Sequence, residues 1–255
     1  MKRIFVYLLS LVLSLASPAF AESSLTFGAA TTDSVNHGSN ASLDNLATWT
    51  VVMWVYPTTL TAGRVYFNKL EAAPDNGRRR CLVDTATDEV SCQVRENDLL
   101  ANYITNNANL TVNKWWFIAA TFDLNAAAGE SFNIYVGDFD TIATECTYGT
   151  ATDRTGTLDS DAAGSMIIGN TAGGAASFQG DFSVFAHWNR VLTTAEIQNQ
   201  QFSQVPTSGA VLLTYEGFNG TGSQRDLSGN ANNGSVSGPT ASSNAPPIFL
   251  NGGAL

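Results

Sequence analysis

The stretch from Gly180 to Ile197, GDFSVFAHWNRVLTTAEI, indicates the fold more strongly than any other part of the chain. Its first half alternates as a β-strand does, and the alternation predicts one apolar face made by Phe182, Val184, Ala186 and Trp188. A face of this kind is typical of a strand that packs against a hydrophobic core.

The second half of the same stretch predicts a helix. Asn189-Arg190 ends the strand, and Thr193 or Thr194 is placed to cap a helix whose first turn holds Glu196. Strand patterns dominate the rest of the chain, so a single helix after a core strand is a specific arrangement. We predict this helix near Thr193 to Phe202.

The stretch resembles the end of the LamG-like, concanavalin A-like jelly-roll domains, whose pattern is roughly G-x-I-x-x-V-x-I-[YW]-N-R-x-L-[ST]-x-x-E-I. Further segments resemble that family in the same order: SNASLDNLATWTVVMWVYP, NKWWFIAATFD, FNIYVGD, TGTLDSDAAGSMIIGN and DLSGNANNGSVSG. The resemblance implies an all-β fold, a two-sheet antiparallel β-sandwich (jelly roll) with one short helix. It implies little about function, because this fold carries lectins, hydrolases, pentraxins and structural modules.

Apolar strand patterns elsewhere predict the rest of the sandwich. WTVVMWVY at 49–56 and WWFIAATF at 115–122 are almost unbroken in their hydrophobicity, which is typical of strands covered on both faces. With the strand at 182–188 they are expected to supply the core, with buried side chains at Trp54, Phe117, Phe122, Phe182 and Trp188.

The first 21 residues have the parts of a secretory signal. Lys2 and Arg3 precede an apolar run from Ile4 to Leu15, and Ala19-Phe20-Ala21 supplies small residues where a signal peptidase cleaves. A membrane anchor is the alternative, but the run is short for a bilayer span and Pro18 follows it. We expect a secreted protein, extracellular or periplasmic, that does not span a membrane.

Two boundaries divide the rest of the chain. We expect the jelly-roll domain over residues 22–238. The Pro- and Ser-rich tail at 239–255 either carries a last strand at Ile248 to Leu250 or is the end of a linker.

Charge excludes some classes of partner. The chain has 12 basic and 22 acidic residues and a net charge of −10, whereas a nucleic-acid binder carries a basic face. The same charge repels anionic membranes and polyanionic glycans. The one run of cations, Arg78 to Arg80, alternates between faces if it lies on a strand, and we expect it at a solvated strand edge.

The three cysteines suggest one disulfide. Cys81 and Cys92 flank a predicted hairpin, CLVDTATDEVSC, in which a turn at Thr85 to Asp88 places them directly opposite each other. Opposed residues of an antiparallel pair come within disulfide reach, and exported proteins meet an oxidising compartment. We predict a Cys81–Cys92 disulfide, with two buried free thiols as the alternative. Cys146 remains, either as a small buried hydrophobe or in an intermolecular bridge.

No catalytic pattern stands out in the sequence. Glucanases of this fold carry an E-x-D-x-x-E motif, because two carboxylates at period-two spacing on a strand suit a retaining glycosidase, and no such motif occurs here. Asp138-Phe139-Asp140 and Asp159-Ser160-Asp161 have that spacing, but we expect them in solvated turns, like Asp84, Asp88 and Glu89. We therefore predict a protein that is not an enzyme.

Calcium is the cofactor that the resemblance raises. Pentraxins place an Asp-Asn pair after an early strand, and Asp75-Asn76 resembles that half of their site. The matching second half, Asn170 to Phe178, has no carboxylate, although Ca²⁺ takes roughly six to eight oxygen ligands. Asp75 and Asn76 are thus a candidate ligand and metal site with an incomplete ligand set, and a plain turn is the alternative. Asp159 and Asp161 are a second calcium alternative.

Sugar binding favours an exposed aromatic ring beside hydrogen-bonding side chains. Trp115 and Trp116 alternate faces, so one of them is a candidate platform, and Tyr103 in the loop-rich LLANYITNN is another. The favoured alternative is that most of the five tryptophans lie in the core. Two function classes remain: a secreted, non-catalytic recognition module for a glycan or an extracellular protein, or a structural module of a surface layer, appendage or virion. A hydrolase with an unrecognised site is a third class.

Overall fold

The computed structural model describes residues 24–70, 78–84, 88–96, 99–153, 157–203, 206–214 and 222–246. The predicted secretory signal and the predicted strand at 248–250 lie outside these residues. Within the described ranges no helix has the length and apolar character needed to cross a membrane.

Seventeen strands and one α-helix build the described part of the chain. In chain order the strands are β1 Ser24–Phe27, β2 Ser34–Asn36, β3 Thr48–Pro57, β4 Val65–Leu70, β5 Arg78–Val83, β6 Val90–Glu96, β7 Leu99–Thr105, β8 Trp116–Asp123, β9 Phe132–Gly137, β10 Thr144–Glu145, β11 Tyr148–Thr152, β12 Met166–Ile168, β13 Gly180–Trp188, β14 Ala210–Leu213, β15 Ser223–Gln224, β16 Gly234–Ser237 and β17 Thr240–Ser242. The helix α1 spans Thr194–Phe202, and a 3-10 turn spans Ala41–Leu43.

The strands form two antiparallel sheets. Sheet A has the order β10-β9-β8-β3-β13-β1-β17, with β14 also paired to β13, and sheet B has the order β11-β7-β6-β5-β4-β12-β2-β16-β15. The predicted two-sheet sandwich with one short helix is therefore confirmed.

The core has two layers. The larger hydrophobic cluster, with Trp49 and Phe122 from sheet A and Phe67 from sheet B, lies between the sheets. A second cluster on the outer face of sheet A includes Trp54 and Ile197, the latter from α1. Strands β3 and β8 are thus covered on both faces, as their unbroken hydrophobicity predicts, and the five predicted core side chains are all at most 2% exposed.

Strand β13 differs from its prediction on one point. Phe182 and Phe185 lie in the cluster between the sheets, whereas Val184, Ala186 and Trp188 lie in the cluster under α1. The register with β3 shifts between Phe182 and Phe185, and the extra residue of a bulge reverses the alternation. Phe182 therefore does not share a face with the other three.

The helix begins as its sequence predicts. The Thr193 hydroxyl accepts the backbone N–H of Glu196 at 3.2 Å, and the Glu196 carboxylate accepts the N–H of Thr193 at 2.9 Å, which is a capping box. Arg190 pairs with the same carboxylate at 2.7 Å. This ion pair and the Thr193 N–H lower the pKa of Glu196 to about 2.

Two segments contain more strand than expected. Residues 99–105, predicted as loop, form β7, in which Ala101, Tyr103 and Thr105 are buried while the residues between them are partly exposed. The period of two was present in the sequence, but neighbouring asparagines suggested a loop. Strand β17 pairs with β1, so sheet A continues past residue 238.

Candidate functional site

The outer face of sheet B carries a continuous row of polar side chains. The helix α1 packs on the outer face of sheet A through Ile197, which leaves the outer face of sheet B as the other broad face of the sandwich. On this face one residue from each of the nine strands stands directly opposite its neighbour. We call this set the polar row: Thr152, Asn102, Gln93, Arg80, Asn68, Ile167, Asn36, Ser235 and Ser223.

Alternation along each strand fixes the direction of the polar row. Phe67, Cys81, Cys92 and Tyr103, each next in sequence to a member of the row, lie in the cluster between the sheets. Successive side chains of a strand point to opposite faces, so the members of the row point away from the core. Eight of the nine members are polar, and Ile167 is the exception.

Hydrogen bonds link the row across three strands. Arg80 donates through Nε to Gln93 Oε1 at 2.8 Å, and Gln93 Nε2 donates to Ser91 Oγ at 3.3 Å. The Ser91 hydroxyl donates in turn to Asn102 Oδ1 at 2.9 Å. This chain holds the guanidinium and amide groups in fixed orientations, and its one hydroxyl, that of Ser91, donates to the Asn102 amide oxygen rather than to a general base.

Asn68 stands at the centre of the row with an unused amide. Its side chain is fully buried, and neither Oδ1 nor Nδ2 has a hydrogen-bond partner among the residues that the structure describes. Buried amides without partners are uncommon and costly, so such a group requires an explanation. Ile167 and Gln93 are also buried, whereas Arg80 and Asn102 are partly exposed and Asn36 is exposed.

A surface cavity adjoins one end of the polar row. It has a volume of about 470 Å³ and is lined by Ser223, Arg225, Asp226, Gly229, Ala231 and Asn233. Ser223 belongs both to the row and to this cavity. The Asp226 carboxylate accepts the N–H groups of Leu213, Ser228 and Asn232 and is therefore occupied in holding the surrounding turn.

The predicted pair Asp75 and Asn76 lies outside the described residues. Its two flanking strands, β4 and β5, are paired as the sequence predicts. Asn68 on β4 and Arg80 on β5 are members of the polar row, so the predicted hairpin supplies the central strands of the candidate site.

Tyr103 does not provide the exposed ring that the sequence suggested. The side chain is fully buried between the sheets, its ring lies 5.3 Å from that of Phe132, and its hydroxyl donates to Asp153 at 2.6 Å. Burial, together with the Asp153 hydrogen bond, raises the pKa of Tyr103 to about 12. The expectation of a stacking platform is wrong because Tyr103 lies on a strand, on its core side.

The two adjacent tryptophans are also unsuited to stacking a sugar. Trp115 and Trp116 belong to different clusters, as alternation predicts, but both are buried. Trp115 Nε1 donates to Asn244 Oδ1 at 3.2 Å, and Trp116 Nε1 donates to the Thr111 carbonyl at 3.0 Å.

Several acids predicted as solvated are buried and engaged in the fold. Asp138 pairs with Lys114 at 2.5 Å and accepts the N–H groups of Asp140 and Thr141. Burial by itself would raise the pKa of Asp138, but the Lys114 hydrogen bond and the two backbone donors lower it below its usual range. Glu89 likewise accepts the N–H of Ala108 at 2.9 Å. Turn acids of this kind stabilise loops and are not free for catalysis.

The arginine run is not a strand edge. Strand β5 lies between β4 and β6, and Arg79 is 2% exposed, with Nη2 donating to the Leu43 carbonyl at 2.5 Å. Arg80 points to the opposite face, so the predicted alternation is correct and the predicted solvation of Arg79 is wrong. Asp44 and Asp161, distant in sequence, supply the charges that permit burial.

The described residues contain no group of three or more His, Cys, Asp or Glu that could hold a metal. Asp159 pairs with Arg95 at 3.5 Å, and Asp161 lies 3.5 Å from Arg79, so the alternative calcium ligands are engaged with cations. The predicted Cys81–Cys92 disulfide is present, with a Cα–Cα distance of 4.2 Å, and Cys146 is a buried free thiol.

Comparison with known proteins supports this architecture. A family model described as the concanavalin A-like lectin/glucanases superfamily matches residues 29–198. No curated protein matches the chain.

Two solved structures are similar in fold. One is described as a candidate carbohydrate binding protein from Bacteroides ovatus ATCC 8483, with a TM-score of 0.59 and 17% identity over 91% of this chain and 62% of its own. The other is the native heptameric SAP-like pentraxin from Limulus polyphemus, with a TM-score of 0.50 and 13% identity over 74% of this chain and 86% of its own. The chain thus spans 62% of the length of the Bacteroides protein. At these identities the likeness shows the fold alone.

Proposed function

The chain belongs to the concanavalin A-like lectin/glucanase superfamily, and we propose that it is a secreted, non-catalytic module that binds carbohydrate through the polar row. The observation that carries the proposal is the row itself: eight polar side chains in register across nine strands, with an amide at Asn68 in the centre that has no hydrogen-bond partner within the described part of the chain. Amide and guanidinium groups offer the donors and acceptors that sugar hydroxyl groups require. The Bacteroides protein, described as a candidate carbohydrate binder, is consistent with this class of ligand.

The charge of the chain favours an uncharged glycan. Arg80 is the one ionisable member of the polar row, and its Nε is hydrogen-bonded to Gln93. The net charge of −10 disfavours a polyanionic ligand. A row that crosses nine strands is about 40 Å long. Its accessible members lie on both sides of the buried Asn68 and Ile167, so the ligand that fits it is a linear oligosaccharide that crosses several strands rather than a single sugar.

A glycan array, followed by calorimetric titration of oligosaccharides of increasing length, tests this proposal. We expect binding to neutral linear glycans, with affinity that increases with chain length. An absence of binding to every glycan, in folded protein, would contradict the proposal and favour an extracellular protein partner or a structural role in a surface layer, appendage or virion.

The non-catalytic role is tested separately. The engagement of Asp138, Asp161 and Glu89 in ion pairs and backbone hydrogen bonds supports it, since a glycosidase needs two carboxyl groups free to act on the substrate. Incubation with the glycans that bind should release no reducing sugar. Turnover that is abolished by a single Asp or Glu substitution would show a hydrolase.

Calcium binding at Asp75 and Asn76 is a secondary proposal. Its support is the half-match of Asp75-Asn76 to the pentraxin pattern and the pairing of the flanking strands β4 and β5, which carry Asn68 and Arg80. Titration of the protein with Ca²⁺ should give heat that is lost in Asp75→Ala. No heat at millimolar Ca²⁺ would leave the segment as a plain turn.

The last part of the proposal is that the protein is exported and that residues 1–21 are cleaved off. The Cys81–Cys92 disulfide fits an oxidising compartment, and the sequence of residues 1–21 has the pattern of a cleavable signal. N-terminal sequencing of the protein from the exported fraction should begin at Glu22. A chain that retains residues 1–21 would argue for an anchor.

A further inference from the structure

Three polar side chains in the interior have unused hydrogen-bonding atoms. Arg79 Nε and Nη1, Trp49 Nε1, and both ring nitrogens of His187 are buried and have no hydrogen-bond partner among the described residues. Arg79 is 2% exposed, and the other two side chains are fully buried. These five polar atoms lie in the interior of the sandwich, away from the polar row.

The three side chains approach one another from both sheets. The Arg79 guanidinium carbon, from sheet B, lies 6.0 Å from the centre of the Trp49 ring in sheet A. The rings of Trp49 and His187 lie 6.2 Å apart. The unused atoms thus belong to one neighbourhood between the sheets, not to three separate defects.

The free energy involved is too large to leave these atoms unpaired. Each buried polar atom without a partner is destabilising, and five of them together would offset a large part of the stability of a typical domain. Nearby Lys69 shows that the region otherwise satisfies its polar groups: its ammonium contacts Asp44 at 2.7 Å and donates to the carbonyls of Asp161 and Gly164.

We propose that Arg79, Trp49 and His187 form an internal site that binds ordered water between the two sheets. Water accepts hydrogen bonds from the Arg79 and Trp49 N–H groups and donates one to an unprotonated ring nitrogen of His187. Protein interiors hold such waters, each typically with about three hydrogen bonds to otherwise unsatisfied groups.

The charges around this site favour water over an anion as its occupant. Lys69 and Arg79 are already matched by Asp44 and Asp161, so a bound chloride would leave an excess negative charge in the core. An anion also cannot donate to a neutral imidazole. Burial and the positive charges of Arg79 and Lys69 hold the pKa of His187 well below its usual value, which keeps the ring neutral.

The test is a high-resolution crystal structure of the exported protein from crystals soaked in bromide. We expect density within hydrogen-bond distance of Arg79 and Trp49 Nε1 that scatters as water and has no anomalous bromide signal. A bromide peak there would overturn the proposal in favour of an anion site. Side chains that bond directly to other protein groups, with no solvent density, would overturn it in favour of a dry core.

A solution measurement gives an independent answer. Magnetic relaxation dispersion counts long-lived internal waters, and we expect His187→Leu to lose at least one relative to the wild type. The matched control is Phe185→Leu, on the same strand and the same side of the sheet, which removes no polar atom and should keep the wild-type count, since apolar cavities stay dry. An unchanged count in folded His187→Leu would contradict the site. If His187→Leu does not fold, a wild-type count of zero would contradict it equally.

Discussion

Lys69 and Arg79 stand directly opposite each other on strands β4 and β5, and both side chains are buried between the sheets. Like charges at opposed positions of a sheet are destabilising. Asp44 contacts Lys69 at 2.7 Å, and Asp161 lies 3.5 Å from Arg79 and 3.9 Å from Lys69. Two cations and two carboxylates therefore form one neutral cluster inside the sandwich.

Asp161→Asn should be strongly destabilising, because it leaves excess positive charge buried beside Lys69 and Arg79. Breaking a buried ion pair from one side costs about 3–5 kcal/mol, and urea unfolding measures the loss. Asp159→Asn is the matched control. Its partner Arg95 is partly exposed, so the cost should be at most about 1 kcal/mol. Equal losses in the two variants would contradict the structural role of the cluster.

This cluster also shows which features of a charged side chain can be predicted from the sequence alone. The alternation of Arg79 and Arg80 was predictable from a strand period of two. The burial of Arg79 was not, because Asp44 and Asp161 reach it through tertiary contacts that leave no local signal. Polar character alone suggested an edge strand, and the tertiary charge balance overrode that local expectation.

The fold was more predictable than the site for a related reason. Unbroken apolar runs at 49–56 and 115–122 and the capped helix at 194–202 are local patterns, and each recurs in the structure. The polar row takes one residue from each of nine strands, so no stretch of sequence contains it. A partial signal was present: Asn68, Gln93 and Asn102 each adjoin residues of the core. Tyr103 was misplaced because Asn-rich flanks concealed strand β7.

The Cys81–Cys92 disulfide should contribute measurable stability. It joins β5 and β6 directly beneath the Arg80–Gln93 pair of the polar row. Closing so short a loop is worth roughly 2–3 kcal/mol, so replacing both cysteines by Ala should lower the free energy of unfolding by that amount. In the wild type, reductant should lower the melting temperature, whereas it should have no effect on the double variant. Alkylatable thiols at both positions in unreduced exported protein would disprove the bridge.

His37 should make the protein less stable in mild acid. It is 4% exposed, and Nδ1 bonds to the Asn232 carbonyl at 2.7 Å. Burial lowers its pKa to about 4 in the folded state, although the Asn232 hydrogen bond and the Asp226 charge oppose that shift. The unfolded pKa is about 6.5, so the contribution to stability is fully present above that pH. It is lost as the pH falls through the folded pKa, and its size is on the order of 3 kcal/mol.

The measurement is urea unfolding of the wild type and of His37→Gln at about pH 7 and about pH 5, a window set by the two pKa values of His37. The wild type should lose more stability than the variant between these pH values, because glutamine does not titrate. Parallel losses in both proteins would assign the pH dependence to other groups, such as His187.

Titration of a bound neutral oligosaccharide into variants of the polar row tests the account most directly. Asn36→Ala and Asn102→Ala alter accessible members on two sides of the row, and Asn125→Ala is the control, an exposed asparagine in the turn after β8. Each row variant should weaken binding about tenfold, which corresponds to about 1.4 kcal/mol, while the control binds as the wild type does. Unchanged affinity in both row variants, with the oligosaccharide still bound, would contradict recognition through the outer face of sheet B.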